Sequence, residues 1–351
     1  MTTNAARMTK EAFQNKISVV ITTFNQEETI SRAIDSVLHQ ICPWPIEIII
    51  GDDCSTDTTT EICRRYTELY PDIVRLYINK KNKGVIENYF SCLLRCDGKY
   101  IADLAGDDEW CDNNKLSLEL QYLEQHNDVV LVHTDYNILH AGDGVISHSP
   151  SYPFSKSHHG GEGVVLDIVS QQCRPVAHLC TSLYRNDAFR RCYYKYPKYF
   201  TGNFYPCEDV QLTMLMALEG KFAFLPCVTL NYSVTANSIS NKSAESEAFT
   251  FKYRVFGLMT DIRDDINISH SEFSSSCQFR IHELLMHIFR LYDKSLFDKV
   301  MSFFHEKDIV VLTLRNKLLI YFLSCPLLWR ILLKIRAIKT SHWSNISIHS
   351  F

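Results

Sequence analysis

Residues 17–41 read ISVVITTFNQEETISRAIDSVLHQI, and the change of rhythm inside that stretch decides the fold. The first seven residues, ISVVITT, are apolar or β-branched apart from Ser18. So continuous a run suits a strand buried on both faces of a parallel sheet. After Phe24 and Asn25 the apolar positions Ile30, Ile34, Val37, Leu38 and Ile41 recur at helical spacing, with Glu27 and Glu28 expected in the first turn, where the helix dipole favours negative charge. The pattern repeats outward. Residues 46–50 read as a strand, followed by a helical stripe of Ile62, Tyr66 and Leu69 with an N-cap expected at Ser55, Thr56 or Asp57. Residues 74–78 lead into a helix through Ile86, Phe90 and Leu94, and residues 100–104 make a fourth strand. Strands alternating with helices at this spacing imply right-handed crossovers and a mostly parallel, Rossmann-like α/β sheet flanked by helices. Ligands of such sheets lie beyond the carboxyl ends of the strands. Function is therefore expected just after residues 23, 50, 78 and 104.

Beyond Asp135 the rhythm changes, with Gly142, Gly144, Gly160, Gly161 and Gly163 marking a long irregular stretch. Order is expected to resume over 177–184, in a helix over 209–218, and in two short apolar runs at 222–225 and 228–234; from about residue 245 the chain reads as helical to its end. Two regions follow: a domain over 16–236 and a helical C-terminal region over 245–351. The 351 residues are 46% hydrophobic and 22% charged, which excludes a disordered chain or a small disulfide scaffold. A net charge of −4 from 36 basic and 40 acidic residues gives no reason to expect nucleic acid as the main partner, which usually needs a clear basic excess. The 13 cysteines form no CxxC pair, and Cys92 and Cys96, one helical turn apart, read as packing residues. Residues 1–16 contain no apolar targeting run, so a reducing cytoplasmic location is expected and the Asn-x-Ser triplets at Asn231, Asn241, Asn267 and Asn345 carry no meaning.

Two acidic pairs stand at strand ends. Asp107-Asp108 follows the fourth strand and Gly106, and adjacent carboxylates in a cleft call for a divalent cation or a ribose hydroxyl; taken alone they read equally as solvated acids at a helix start. Asp52-Asp53 ends the second strand, where a turn and a helix cap account for part of the segment. Neither GxGxxG nor GxxxxGK[ST] occurs, which disfavours dinucleotide and P-loop phosphate binding.

The segments SVVITTFNQEETISRAIDSVLHQ, EIIIGDDCSTDTT, NKGVIENY and GKYIADLAGDDEWCDNNKL together resemble the nucleotide-sugar half of family 2 glycosyltransferases of the GT-A fold. The resemblance implies that Thr23, Phe24, Asn25 and Glu27 line the nucleotide site, that Asp53 with Asp52 beside it meets the base, and that Lys83 and Gly84 lie near the diphosphate. It implies that Asp107 contacts ribose or metal and that Asp108 binds the metal, Mn²⁺ or Mg²⁺. Glu208-Asp209, after the turn-like Tyr205-Pro206-Cys207, resembles the family's Glu-Asp pair, whose Asp acts as general base. Trp110, His178 and Thr181 are expected on the acceptor side. The chain departs from the family in carrying Ala105, where another acid is common, and in LNYSVTANSIS, where Ser233 and Thr235 replace a frequent Arg and His.

No acid follows Asp308, while Arg315, Lys317, Arg330, Lys334, Arg336 and Lys339 are interleaved with apolar residues. The apolar run broken by Pro326 falls short of the roughly 20 residues that cross a bilayer, so an interfacial helix with Tyr321 and Trp329 at headgroup level, or a packing helix, is expected. The function implied is an inverting, metal-dependent glycosyltransferase, peripheral on the inner face of the cell membrane. It moves a sugar from a nucleotide-sugar, UDP by family frequency, to a glycan or polyprenyl-diphosphate-linked acceptor in capsule or O-antigen synthesis. A catalytically silent scaffold and a sugar nucleotidyltransferase are the alternatives.

Overall fold

The computed structural model describes residues 14–140, 146–148, 160–170, 177–202, 204–234 and 244–334. Thr235, Ala236, Gly142, Gly144, Asn241, Asn345, Arg336, Lys339 and residues 1–13 lie outside them. The chain groups into two compact units, Met1–Ile168 with Pro175–Thr235, and Ala236–Phe351 with Val169–Arg174.

The first unit opens with the expected alternation: β1 (Gln14–Thr23), α1 (Ile30–Leu38), β2 (Ile46–Asp52), α2 (Thr59–Leu69), β3 (Val74–Ile78), α3 (Val85–Leu93) and β4 (Gly98–Ala105). It continues with β5 (Glu109–Trp110), α4 (Lys115–Gln125), β6 (Val129–His140), β7 (Ile146–His148), α5 (Glu162–Ser170, its last two residues counted with the second unit), β8 (Ser182–Arg185), α6 (Asn186–Lys195), α7 (Asp209–Met216) and β9 (Lys221–Val234). Among the described residues the sheet order is β3-β2-β1-β4-β8-β6-β9-β5, with β7 paired to β6. β1 to β4 are mutually parallel, β8 is antiparallel to both its neighbours, and β6 and β9 are parallel to each other. This is the helix-flanked α/β sheet that the alternation of strands and helices implies.

Val19, Val20 and Ile21 are all buried, so both faces of β1 are covered, as its unbroken apolar run requires. One face receives Ile30, Ala33, Ile34 and Val37 of α1. Register pairs Thr23 with Asp52, Asp52 with Ile78, and Thr22 with Ala105, so the loops after all four strands leave the sheet at one edge.

Several local expectations are corrected. α1 begins at Ile30, so Glu27 and Glu28 precede it rather than fill its first turn. α2 begins at Thr59 with Thr58 in the cap position, not Ser55, Thr56 or Asp57, because Asp52 and Asn25 hold Ser55 and Thr56 in the preceding turn. β6 runs to His140, past Asp135, where irregular chain was expected. The runs 222–225 and 228–234 are one strand, β9, interrupted by a register shift opposite Thr134 and Asp135, where Pro226 has no N–H for the ladder.

The second unit is helical through the described residues: α8 (Glu245–Ile266), α9 (His270–Ser276), α10 (Gln278–Leu291), α11 (Lys294–Glu306), α12 (Leu314–Ser324) and α13 (Pro326–Lys334). Asn267 and Tyr292 end α8 and α10 in left-handed conformations. Asp293 caps α11 by accepting hydrogen bonds from the N–H groups of Ser295 and Leu296. Its core is built from Phe256, Met259, Ile262, Phe273, Leu284 and Ile288.

Candidate active site

The four loops at the carboxyl edge of β1–β4 are tied together by their own side chains. After β1, Asn25 turns with a positive φ of 52°, and its Oδ1 accepts from the N–H of Thr56 at 2.8 Å while its own N–H donates to Ser55 Oγ at 3.0 Å. Gln26 N–H donates to Thr59 Oγ1 at 2.8 Å. Glu27 Oε2 accepts from Thr58 N–H at 2.9 Å and from its hydroxyl at 2.6 Å, so this carboxylate serves the start of α2 rather than of its own helix. Phe24 is left exposed at the tip of the loop.

Both acids after β2 are buried and fully engaged. Asp52 Oδ1 accepts from the N–H and hydroxyl of Ser55, at 3.0 and 2.6 Å, and Oδ2 from Thr60. Asp53 reaches across to the loop after β3: Oδ1 accepts from Asn79 Nδ2 at 2.9 Å and Lys83 N–H at 2.8 Å, Oδ2 from Gly84 N–H at 2.8 Å. Gly84 takes a φ of 82°, a conformation open to glycine at little cost, and that lets consecutive N–H groups converge on one carboxylate. Lys83 Nζ pairs with Glu87 at 3.2 Å. Buried Asn88, which sequence reading missed, donates to Gly51 O at 2.9 Å and accepts from Asn79 at 2.8 Å, fastening α3 to the end of β2.

After β4 the chain must pass close to the β1 loop. A Cβ on Gly106 would fall 2.4 Å from Gln26 Oε1 and 2.9 Å from Thr23 Oγ1, so no larger residue fits there without displacement. Asp107 follows, half-buried, and Asp108 is 1% exposed. Asp108 Oδ1 accepts from Ser233 N–H at 2.8 Å, whereas its Oδ2 is buried without a hydrogen-bond partner. Burial and the neighbouring Asp107 carboxylate push the Asp108 carboxyl well above its usual range, and burial raises Asp107 as well, opposed by Arg32 and Gln26. An orphaned buried oxygen costs about 1–3 kcal/mol, more when charged, so a ligand that satisfies it is expected. Among the described residues no three His, Cys, Asp or Glu side chains form a metal cluster. Two carboxylates with one free oxygen still fit a hard divalent cation that completes its shell with phosphate oxygens and water.

Arg32 braces this turn, and no motif announced it. Its Nη2 donates to Asp107 O at 2.9 Å and Ser233 Oγ at 3.3 Å, its Nε lies 3.0 Å from Glu109, and Ser233 Oγ donates to Asp107 O at 2.6 Å.

A profile of glycosyl transferase family 2 matches residues 18–191, which span all of these loops. Residues 18–191 belong to glycosyl transferase family 2. Similar relatives include an uncharacterized Mycobacterium tuberculosis protein, 40% identical over 110 residues, 31% of this chain and 32% of that one. The putative teichuronic acid biosynthesis glycosyltransferase TuaG of Bacillus subtilis is 32% identical over 152 residues, 43% of this chain and 55% of the relative. The chain thus spans about a third to a half of the length of these curated relatives. Among solved structures, residues 1–349 of S. aureus TarS in complex with UDP-GlcNAc superpose with a TM-score of 0.55 at 16% identity, covering 84% of this chain and 88% of that one. A mannosyltransferase from Pyrobaculum calidifontis in complex with GDP-Man and Mn²⁺ gives 0.50 at 13% identity over 93% and 91%.

A second acidic group of the first unit sits at the start of α7. Asp209 is its first residue, with Oδ1 accepting from Val210 N–H at 2.9 Å, and Glu208 occupies the cap position. Burial first, and the adjacent Asp209 charge second, push Glu208 up to about 8; Asp103 of β4 adds to the shift. Asp103 is buried, accepts from Tyr184 OH at 3.3 Å, and is raised by burial to about 7. Tyr89 of α3, whose hydroxyl lies 3.3 Å from that of Tyr184, feels both Asp103 and Glu208, so α3, α7 and β4 share one buried acidic and phenolic cluster.

Of the three residues expected on the acceptor side, Trp110 and Thr181 are buried. Trp110 is 3% exposed, its indole N–H donating to Cys180 O at 2.8 Å and its ring carrying Lys115 Nζ at 4.6 Å; it packs under the acidic turn and offers no face to a sugar. Thr181 is fully buried and donates to His178 O at 2.8 Å. His178 is half-buried between the rings of Tyr136 and Tyr232, each 4.9 Å away. Cys92 and Cys96 are buried packing residues, and the cysteines among the described residues are all free thiols.

Proposed function

We propose that this protein is an inverting glycosyltransferase that moves a sugar from a UDP-sugar to a hydroxyl of a glycan or polyprenyl-diphosphate-linked acceptor in cell-surface polysaccharide synthesis. The observation that carries this reading is the buried, unpartnered Oδ2 of Asp108 beside Asp107 at the carboxyl end of β4. TarS, solved with UDP-GlcNAc, supports UDP as the nucleotide, and TuaG, named for teichuronic acid biosynthesis, supports a surface polymer as product.

Asp108 and Asp107 would hold Mn²⁺ or Mg²⁺ against the donor diphosphate; such an ion stabilises charge on the departing phosphate as a Lewis acid. Thr23, Phe24, Asn25 and the loop that Asp53 gathers around Lys83 and Gly84 form the nucleoside and phosphate walls. Burial and the adjacent Asp209 charge both favour the proton on Glu208, and Asp209 would then be the carboxylate of the pair that accepts the acceptor hydroxyl's proton as it attacks the anomeric carbon. Attack from the face opposite the diphosphate inverts the anomeric configuration.

The test is a pair of variants assayed with UDP-sugars and Mn²⁺. Asp108→Ala should abolish metal-dependent UDP binding. Asp209→Asn should leave UDP binding within about twofold of wild type and lower transfer by roughly 10²–10⁴, the usual contribution of a positioned base. Undiminished transfer by Asp209→Asn places the base elsewhere, and undiminished Mn²⁺-dependent binding by Asp108→Ala removes the metal reading.

A further inference from the structure

The last two described helices carry a surface that the transfer reading does not use. α12 and α13 meet at a bend of 107° around Cys325, and among the described residues no single helix is long and apolar enough to span a membrane. One side of each helix is anchored. Asn316 of α12 donates to Gln278 O of α10 at 2.9 Å and accepts from His282 at 3.0 Å, and Leu323 is buried. Trp329 of α13 is 1% exposed, its indole N–H donating to Phe289 O at 2.9 Å and its ring 4.9 Å from Tyr292. That corrects the expectation of Trp329 at headgroup level: it is the bolt that fixes α13 to α10.

The opposite sides carry apolar residues that stay exposed among the described residues. Leu314, Leu318 and Tyr321 follow one another at spacings of four and three on α12, and Leu327 and Ile331 at a spacing of four on α13, so each set shares a helix face. Leu314 is 71% exposed, Tyr321 63% and Leu327 74%. Arg315, Lys317, Arg330 and Lys334 are exposed on the same two helices. From residue 309 to 351 the sequence has no Asp or Glu to offset them, and Arg336 and Lys339 extend the basic run.

We infer that the exposed apolar faces of α12 and α13 dock on a bilayer surface rich in anionic phospholipid headgroups. Charge decides the occupant. A second copy related by a twofold axis would bring another uncompensated basic face against this one, which like-charge repulsion opposes, whereas phosphate headgroups offer the opposite sign and a boundary into which Leu and Tyr insert. Each helix alone is too short to cross a bilayer, and a 107° bend suits two short helices lying at its surface. Rigid anchoring by Asn316 and Trp329 means that little conformational entropy is lost on docking. This inference goes beyond the transfer reading and stands without it, since none of its residues belongs to the acidic loops.

The experiment is flotation of the full chain with vesicles of phosphatidylcholine alone or mixed with phosphatidylglycerol. Binding is expected to the mixed vesicles and to weaken with added salt, and at least about tenfold less to phosphatidylcholine alone. Leu318→Glu/Tyr321→Glu/Leu327→Glu, all at exposed positions, should lower vesicle binding at least about tenfold while leaving the melting temperature and Mn²⁺-dependent UDP binding unchanged. Arg315→Glu/Lys317→Glu/Arg330→Glu should remove the preference for phosphatidylglycerol. Equal binding of wild type and the triple Glu variant at the apolar positions overturns the inference. So does an absence of binding to either vesicle, or a wild-type dimer in light scattering that the same variant converts to monomer.

Discussion

Arg32 shows how a single residue outside every motif governs a site built from motifs. It ties Asp107 O, Ser233 Oγ and Glu109 into one turn, and Ser233 in turn orients the engaged oxygen of Asp108. Because the guanidinium is more than a third exposed, its pairing with Glu109 contributes little by itself, and the bond to the backbone carbonyl matters more. Arg32→Ala should therefore weaken Mn²⁺ binding in the presence of UDP by roughly three- to tenfold, the scale of one ordinary net hydrogen bond, with Arg32→Lys intermediate. Titration of free Mn²⁺ by electron paramagnetic resonance measures this without turnover. Nothing in the sequence singles out Arg32, since it occupies a polar position of an amphipathic helix and meets Ser233 from 201 residues away. Asp52 and Asp53 are site candidates because acids cluster at strand ends, and Glu27 only through the family resemblance; that their carboxylates organise neighbouring loops requires knowing which N–H groups converge on them.

At the scale of elements, α4 carries an i,i+4 pair that breaks the ordinary rule for charges. Lys115 and Glu119 lie 2.6 Å apart with both side chains fully buried, Lys115 above the Trp110 ring. Burial raises Glu119 to about 7, opposed by Lys115. Removing one partner leaves the other uncompensated: Lys115→Met should destabilise the protein by about 3–5 kcal/mol, whereas Lys115→Met/Glu119→Leu should recover most of it. Urea denaturation of the three proteins decides the point. Leu116, Leu120 and Leu123 recur at helical spacing, but an i,i+4 Lys–Glu pair normally marks a solvated face, and only the cover of the sheet makes this one internal. β9 shows the same limit in reverse, because its two apolar runs were visible while their continuity depends on pairing with β6 across the shift at Pro226.

At the scale of the whole molecule, the buried acids make stability depend on pH. Asp103 has its pKa raised in the folded state from 3.8 to about 7, so the folded chain holds a proton that the unfolded chain has already lost over that interval. Its contribution thus favours folding at low pH, declines as pH rises from about 4 to 7 and is level above, with roughly 4 kcal/mol as the linkage ceiling. Asp103→Asn keeps an acceptor for Tyr184 but buries an amide, so it should raise stability by about 1–3 kcal/mol near pH 8 and change it little near pH 4. Thermal melts of both proteins across that range check it, and a parallel pH slope in the variant would assign the dependence to other groups. The sequence by itself determined the alternation of strands and helices through residue 105, the edge where the loops gather, the two acidic pairs and the basic, apolar C-terminal run. Periodicity and strand-end chemistry are local, and they survive reading one residue after the next. Only the tertiary structure decided that Asp108 keeps a bare oxygen while Asp53 does not, that Trp110 and Trp329 face inward, and that Arg32 reaches Ser233. Those outcomes depend on which distant donors and apolar surfaces come within a few ångströms, and spacing along the chain does not specify that.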